Sequence, residues 1–128
     1  MSRGKGARKP CDLRQARQRL IDARQFLEAA ELLDAPDVVA TNAIHAAVAA
    51  ADAITGHALG ERSGDGNHAA AVDLLRPVDP HLAITLKRAL DHKTQAGYES
   101  TDISRTGAAN CVKWAKLLLA AANARFES

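Results

Sequence analysis

Aromatic residues are scarce in this chain, which has two Phe, one Tyr and one Trp among 128 residues. Beside 28 alanines, that shortage argues against a sheet core and for helices packed closely through small side chains. Cysteine is limited to Cys11 and Cys111, with no CxxC and no Cys/His spacing, so neither a disulfide framework nor a zinc site is expected and both should be free thiols. His45, His57, His68, His81 and His92 never fall at a helical i, i+4 spacing, which excludes the commonest helical metal pair, and no metal or cofactor is expected. Asp65-x-Asn67 is too short for a calcium loop. No run of 18 uncharged apolar residues occurs, and no apolar segment follows the basic N-terminus as in a secretory signal. Neither a membrane span nor export is indicated, and a cytoplasmic location is expected. Solenoid-length repeats and low-complexity tracts are also missing, apart from the alanine bias.

Charge of one sign is not in excess overall, since the net charge is +2, but its placement is uneven. Arg3, Lys5, Arg8, Lys9, Arg14, Arg17 and Arg19 face Asp12 alone at the N-terminal end. Residues 1–11 are expected to form a flexible basic arm, either simply solvated or in contact with phosphate.

From about Asp12 to Leu33, Leu13, Ala16, Leu20, Ala23, Leu27 and Ala30 recur at alternating spacings of three and four, widened by Phe26 and Leu33. That period predicts a long helix with one face toward a core. Asp34-Ala35-Pro36 ends it, because a residue before proline disfavours the α region. A second segment, about Asp37 to Leu59, places Ile44, Ala47, Val48, Ala51, Ile54 and Ala58 on one face, with Gly60 as its C-terminal cap. A short third segment from about Asn67, its N-cap, to Leu75 turns Val72 and Leu75 inward. Asp79-Pro80 opens a fourth that continues toward Tyr98, and Ser104 caps a fifth that carries Ala108, Cys111, Ala115, Leu118 and Ala122 on one face as far as about Phe126. Four long helices with short connections predict an all-α, antiparallel up-and-down four-helix bundle with one additional short helix, a single domain over residues 12–126.

Residues 60–68, reading Gly-Glu-Arg-Ser-Gly-Asp-Gly-Asn-His, interrupt this helical pattern with turn chemistry that exposes side chains at a helix junction. An arginine followed four to six positions later by a histidine carries little weight alone, since 11 Arg and 5 His supply about one such match by chance. Arg76 and His81 also satisfy it, but Pro77 and Pro80 lie between them. Arg62-x5-His68 has a more informative setting. It follows two long helices, the second ending at Ala58-Leu59-Gly60, and precedes Leu74-Leu75, the Lys93 to Tyr98 stretch, Ser104 and a final Ala-rich helix. In that order of features the chain resembles the HEPN domain superfamily over about residues 12–126. The resemblance implies a four-to-five-helix bundle, commonly dimeric, in which such an Arg and His carry metal-independent RNase activity in many members. Several of those act as toxins paired with an antitoxin or in defence against phage. By that resemblance Arg62 and His68 are the expected catalytic pair, and Ser63, Asp65, Asn67, Asp52, Lys93 and Tyr98 are expected to support them or bind substrate. The implied partners are a second copy of the chain, RNA or nucleotide, and an antitoxin or nucleotidyltransferase. Ser63 departs from the Asn, Asp or His often found after the arginine in active members. Ala70 stands where some HEPN toxins carry the tyrosine that nucleotidyltransferase antitoxins modify, which does not support that mode of control.

The chemistry can be argued from residue types alone. RNA holds its own nucleophile, the 2′-OH, beside the scissile phosphorus, so a base, an acid and a charge clamp suffice. Histidine exchanges protons near neutral pH, and at a helix N-terminus the dipole favours the neutral imidazole that acts as base. Arginine presents a fixed fork to phosphate oxygens. A single Arg-His pair is a thin site, which a dimer would double. Against this stand plainer roles: Arg62 paired with Glu61 or Asp65, His68 bonded to a carbonyl, Asp52 paired rather than orienting a histidine, and Tyr98 in the core. The functional alternative is a catalytically inactive HEPN-like module that binds nucleotide, nucleic acid or a protein partner. With few aromatic rings to stack on bases, any RNA affinity should come mainly from phosphate contacts.

Overall fold

Helix ends fall where capping chemistry puts them. A computed structural model of the chain describes residues 8–64, 68–98 and 103–127, and only the backbone of 93–98. Within these residues the order is β1 (Arg8–Pro10), α1 (Leu13–Leu32), α2 (Pro36–Leu59), β2 (Glu61–Ser63), α3 (His68–Leu75), α4 (Pro80–Tyr98) and α5 (Arg105–Glu127). Among the described residues the fold is all-α apart from one short two-stranded ribbon. Asp12 and Gln15 form a reciprocal capping box at the start of α1, at 2.8 and 2.9 Å. The Asp79 carboxylate accepts from the Leu82 N–H at 3.1 Å ahead of α4, and the Ser104 hydroxyl accepts from the Gly107 N–H at 2.9 Å ahead of α5. Gly60, at φ 72°, closes α2 in the left-handed conformation, and its N–H donates to the Gly56 carbonyl at 3.0 Å. The cap expected at Asn67 lies outside the described residues.

Helix directions follow from which side chains meet. Arg19 reaches Asp52 and Phe26 meets the ring of His45, so α1 and α2 run antiparallel through the three-residue connection between them. Arg24 bonds Asn123 and Lys116 pairs with Glu31, so α5 is antiparallel to α1. Asp37 accepts from the Ile103 N–H near one end, and His57 lies edge-on to Phe126 at the other, so α5 is parallel to α2.

The core is built around α2 rather than on one stripe of it. Ala47, Ala51, Ile44 and Ile54 are buried as their period predicts, but so are Ala40, Ala43, Ala46, Ala49, Ala50 and Ala53, while Ala58 is exposed. Alanine explains the difference, because methyl-sized side chains let neighbouring helices approach on several sides, and α2 touches α1, α3, α4, α5 and β2. By length and hydropathy α2 would suffice to cross a membrane, but 67% of its apolar window is buried against the rest of the fold. A soluble protein's core helix passes the same test.

Gly56 of α2 lies close against Cys11 and α1. A β-carbon there would lie 2.8 Å from the Ala16 methyl and 2.6 Å from the Cys11 sulfur, and the alanine cannot swing aside. Gly56→Ala is therefore expected to lower stability by about 1–3 kcal/mol, the overpacking loss exceeding what a better helix former returns. A denaturant midpoint equal to or above wild type would show that α1 and α2 are less tightly apposed.

Of the flexible arm expected over residues 1–11, residues 1–7 lie outside the described residues, and Arg8–Cys11 are ordered by pairing. Arg8–Pro10 pair antiparallel with Glu61–Ser63 in the register Arg8↔Ser63, Lys9↔Arg62 and Pro10↔Glu61. Cys11 then turns fully inward, its N–H donating to the Gly60 carbonyl at 2.9 Å. The arm's charge concealed a short strand whose partner is non-local in sequence.

Candidate functional site

Arg62 occupies the middle of β2 directly opposite Lys9 of β1. One face of the ribbon thus carries two like charges as nearest cross-strand neighbours, an unfavourable pairing in isolation. The Arg62 Nη1 donates to the Ser63 carbonyl at 2.9 Å. Glu61, the nearest candidate partner by sequence, pairs instead with Arg8 at 3.4 Å on the opposite face.

Beneath the ribbon lies a buried carboxylate. Asp52 of α2 is 2% exposed, and its Oδ2 accepts from Arg19 Nε at 3.2 Å and Nη2 at 3.1 Å. Its Oδ1 accepts from the buried Ser63 hydroxyl at 3.1 Å. Arg19 also donates through Nη1 to Asp22 at 3.0 Å. Asp52 therefore ties α1, α2 and β2 together. Burial pushes its carboxyl above the usual carboxylate range, against the pull of Arg19, Ser63 and Arg62. Ser63 acts as an anchor for β2 that fixes the backbone on which Arg62 stands.

His68 is the first residue of α3 and half-buried. It borders two depressions. One, of about 280 Å³, also holds Arg76, Lys87, Asp73 and Asp91, charges that pair as Arg76 with Asp73 and Lys87 with Asp91. The other, of about 150 Å³, is lined by Arg19, Phe26, Ile44, His45, Val48 and His68. Arg62 borders a third depression, of about 460 Å³, with Lys9, Pro10, Gln15, Gln18 and Arg19. None of these three holds both Arg62 and His68. Arg19 is the residue common to the lining of the Arg62 depression and of the smaller His68 depression.

No family model, curated protein or solved structure matches the chain. The likeness to HEPN domains therefore rests on the motif and helix order that carry it.

Of the supporting residues expected from sequence, Ser63 and Asp52 meet each other beside Arg62. Asp65, Asn67 and the side chains of Lys93 and Tyr98 lie outside the described residues. Arg19, Lys9 and His45 were not among them. A signal for Arg19 does exist in the sequence: Asp52 is the only acidic residue between Asp37 and Glu61, and a lone carboxylate within an apolar helix needs a cation. Lys9 gave no such signal, because only the ribbon brings it to Arg62.

Both cysteines are free, as their spacing predicts, and both are buried. Burial pushes the Cys111 thiol to about 11 and also raises that of Cys11, where Asp52 adds to the effect. Neither is a thiolate nucleophile near neutral pH. Among the described residues no cluster of His, Cys, Asp and Glu is suited to hold a metal ion.

Proposed function

We propose that this chain is a HEPN-type, metal-independent endoribonuclease in which His68 transfers protons and Arg62 clamps phosphate. The four long helices are read as an up-and-down bundle with α3 beside it, a reading supported by the alternating directions of α1 and α2 and by α5 running antiparallel to α1. The observation that carries the functional reading is Arg19. It borders both the depression beside Arg62 and the one beside His68, and so links the cations of one to the imidazole of the other. A phosphodiester lying across it would meet Arg62 and Lys9 on one side of Arg19 and His68 on the other.

In that arrangement the RNA 2′-OH loses its proton to an imidazole and its oxygen attacks phosphorus. The guanidinium groups stabilise the charge gathering on the non-bridging oxygens, and the 5′-oxygen leaves with a proton. No metal ion takes part. A homodimer, the assembly the resemblance implies, would bring a second Arg62 and His68 and would give a toxin or defence effector its usual form. A second reading, an inactive nucleotide-binding, nucleic-acid-binding or interaction module, draws on the Ser63 hydroxyl being committed to Asp52.

Incubating the purified protein with a broad panel of RNAs in EDTA separates the two readings. The enzyme reading expects cleavage at an undiminished rate. Binding of RNA with no cleavage in any buffer would reject it in favour of the inactive module.

A further inference from the structure

We infer that His45 is the second proton-transfer group of this site, so that one chain holds an acid, a base and a fixed cation for cutting single-stranded RNA. This rests on the ribonuclease reading above and deepens it. His45 stands on α2, 23 positions from His68 in sequence, yet both line the same depression of about 150 Å³. The two imidazoles come from different helices, with Arg19 from a third completing the wall. His45 is exposed although most of α2 around it is buried, so its ring is presented where solvent and ligand reach it. The ring of Phe26 lies 5.2 Å from that of His45 at 58°, which limits the imidazole's freedom to turn.

Arg19 is held before any ligand arrives. Its three guanidinium nitrogens donate to Asp52 and Asp22, so it needs no reordering to face a developing negative charge. Phe26, Ile44 and Val48 supply the apolar remainder of the wall, which suits a ribose or base edge beside the phosphate. Next to this depression, Arg62 and Lys9 border one neighbour through Arg19. That pair of cations beside Arg19 fits a second phosphate of the same strand better than a single free nucleotide.

The step balances within the substrate and the two rings. One imidazole accepts the 2′-OH proton as the O2′–P bond forms. The other, protonated, gives its proton to the 5′-oxygen as the P–O5′ bond breaks, leaving a 2′,3′-cyclic phosphate and a 5′-hydroxyl. The two rings end with their protonation states exchanged, and solvent resets them.

The test compares wild type, His45→Ala, His45→Asn and His68→Ala in single-turnover cleavage of one RNA in EDTA across a range of pH. Both His45 variants are expected to lose about a hundredfold in rate and one limb of the wild-type bell-shaped pH profile, with helical circular dichroism unchanged. The asparagine variant keeps a polar group against Phe26 and covers the case in which alanine disturbs the fold. Mixing His45→Ala with His68→Ala protein is expected to restore nothing, because every chain then lacks one ring. Two results would overturn the inference while leaving the ribonuclease reading intact: His45 variants within a few-fold of wild type with both limbs retained, or activity recovered on mixing. Wild-type protein that cuts no RNA would overturn both.

Discussion

Arg19→Met is expected to destabilise the folded chain by about 3 kcal/mol near neutral pH. The Arg19 side chain is 27% exposed and that of Asp52 only 3%, so the substitution strands a carboxylate that water scarcely reaches. The value is set toward the lower end of what breaking a buried ion pair removes, because Arg19 is partly solvated. Its pH dependence has a definite sign. Burial already holds the folded Asp52 carboxyl above its ordinary value. A group raised in this way favours the folded state fully below its unfolded pKa and loses that contribution as pH rises through the folded value. Removing the Arg19 charge raises the folded value further, so the variant's deficit should shrink toward pH 4 and grow toward pH 7. Arg19→Met combined with Asp52→Asn should recover most of the loss, since the neutral amide still offers the Ser63 hydroxyl an acceptor. Urea denaturation at both pH values measures this. A double variant no more stable than the single one would mean that the Arg19–Asp52 contact contributes little.

The helices were legible in the sequence because their signals are local. The alternating spacing from Ala16 to Ala30, the Asp79-Pro80 start, the Ser104 cap and the left-handed Gly60 all act within a turn or two of the chain, and each is where its chemistry predicts. The all-round burial of α2 was not legible. Alanine serves exposed and buried helical positions alike, so its period cannot say how many neighbours a helix has. The ribbon was hidden for another reason: Arg8-Lys9-Pro10 reads as a charged tail, and only the return of the chain at Glu61–Ser63 gives it a partner. At the site, Arg62 and His68 stood out because glycines and polar residues surround them in the sequence. Arg19 and His45 sit within helical segments, where nothing local separates a functional side chain from a solvated one. Their significance comes from packing, which brings α1, α2 and α3 to one depression.

His68→Ala and Arg62→Ala are each expected to lower the rate of RNA cleavage by about a hundredfold or more, from the usual worth of a proton-transfer group and of a transition-state donor. The two losses should differ in kind. Without His68 the proton transfer fails while RNA still binds, so the affinity of an uncleavable RNA should change little. Arg62 borders the depression that also holds Lys9 and Arg19, so its loss should weaken both binding and turnover and reduce the dependence of binding on salt. Arg62→Lys should be intermediate, keeping the charge and losing the planar fork. Both residues lie at a helix junction and are only part-buried, so helical circular dichroism should persist in all three variants. Full activity in His68→Ala would remove His68 from the chemistry.

The attacking group itself provides the most direct measurement. Once a cleavage position is mapped in an RNA, the same oligonucleotide is made with a single 2′-deoxy nucleotide immediately 5′ to the scissile phosphate, and both are incubated with the protein in EDTA. The ribonuclease account predicts that the all-ribose strand is cut to a 2′,3′-cyclic or derived 3′-phosphate with a 5′-hydroxyl, and that the substituted strand stays intact at that position while binding equally well. Cleavage of the 2′-deoxy position, or loss of all cleavage in EDTA, would contradict it.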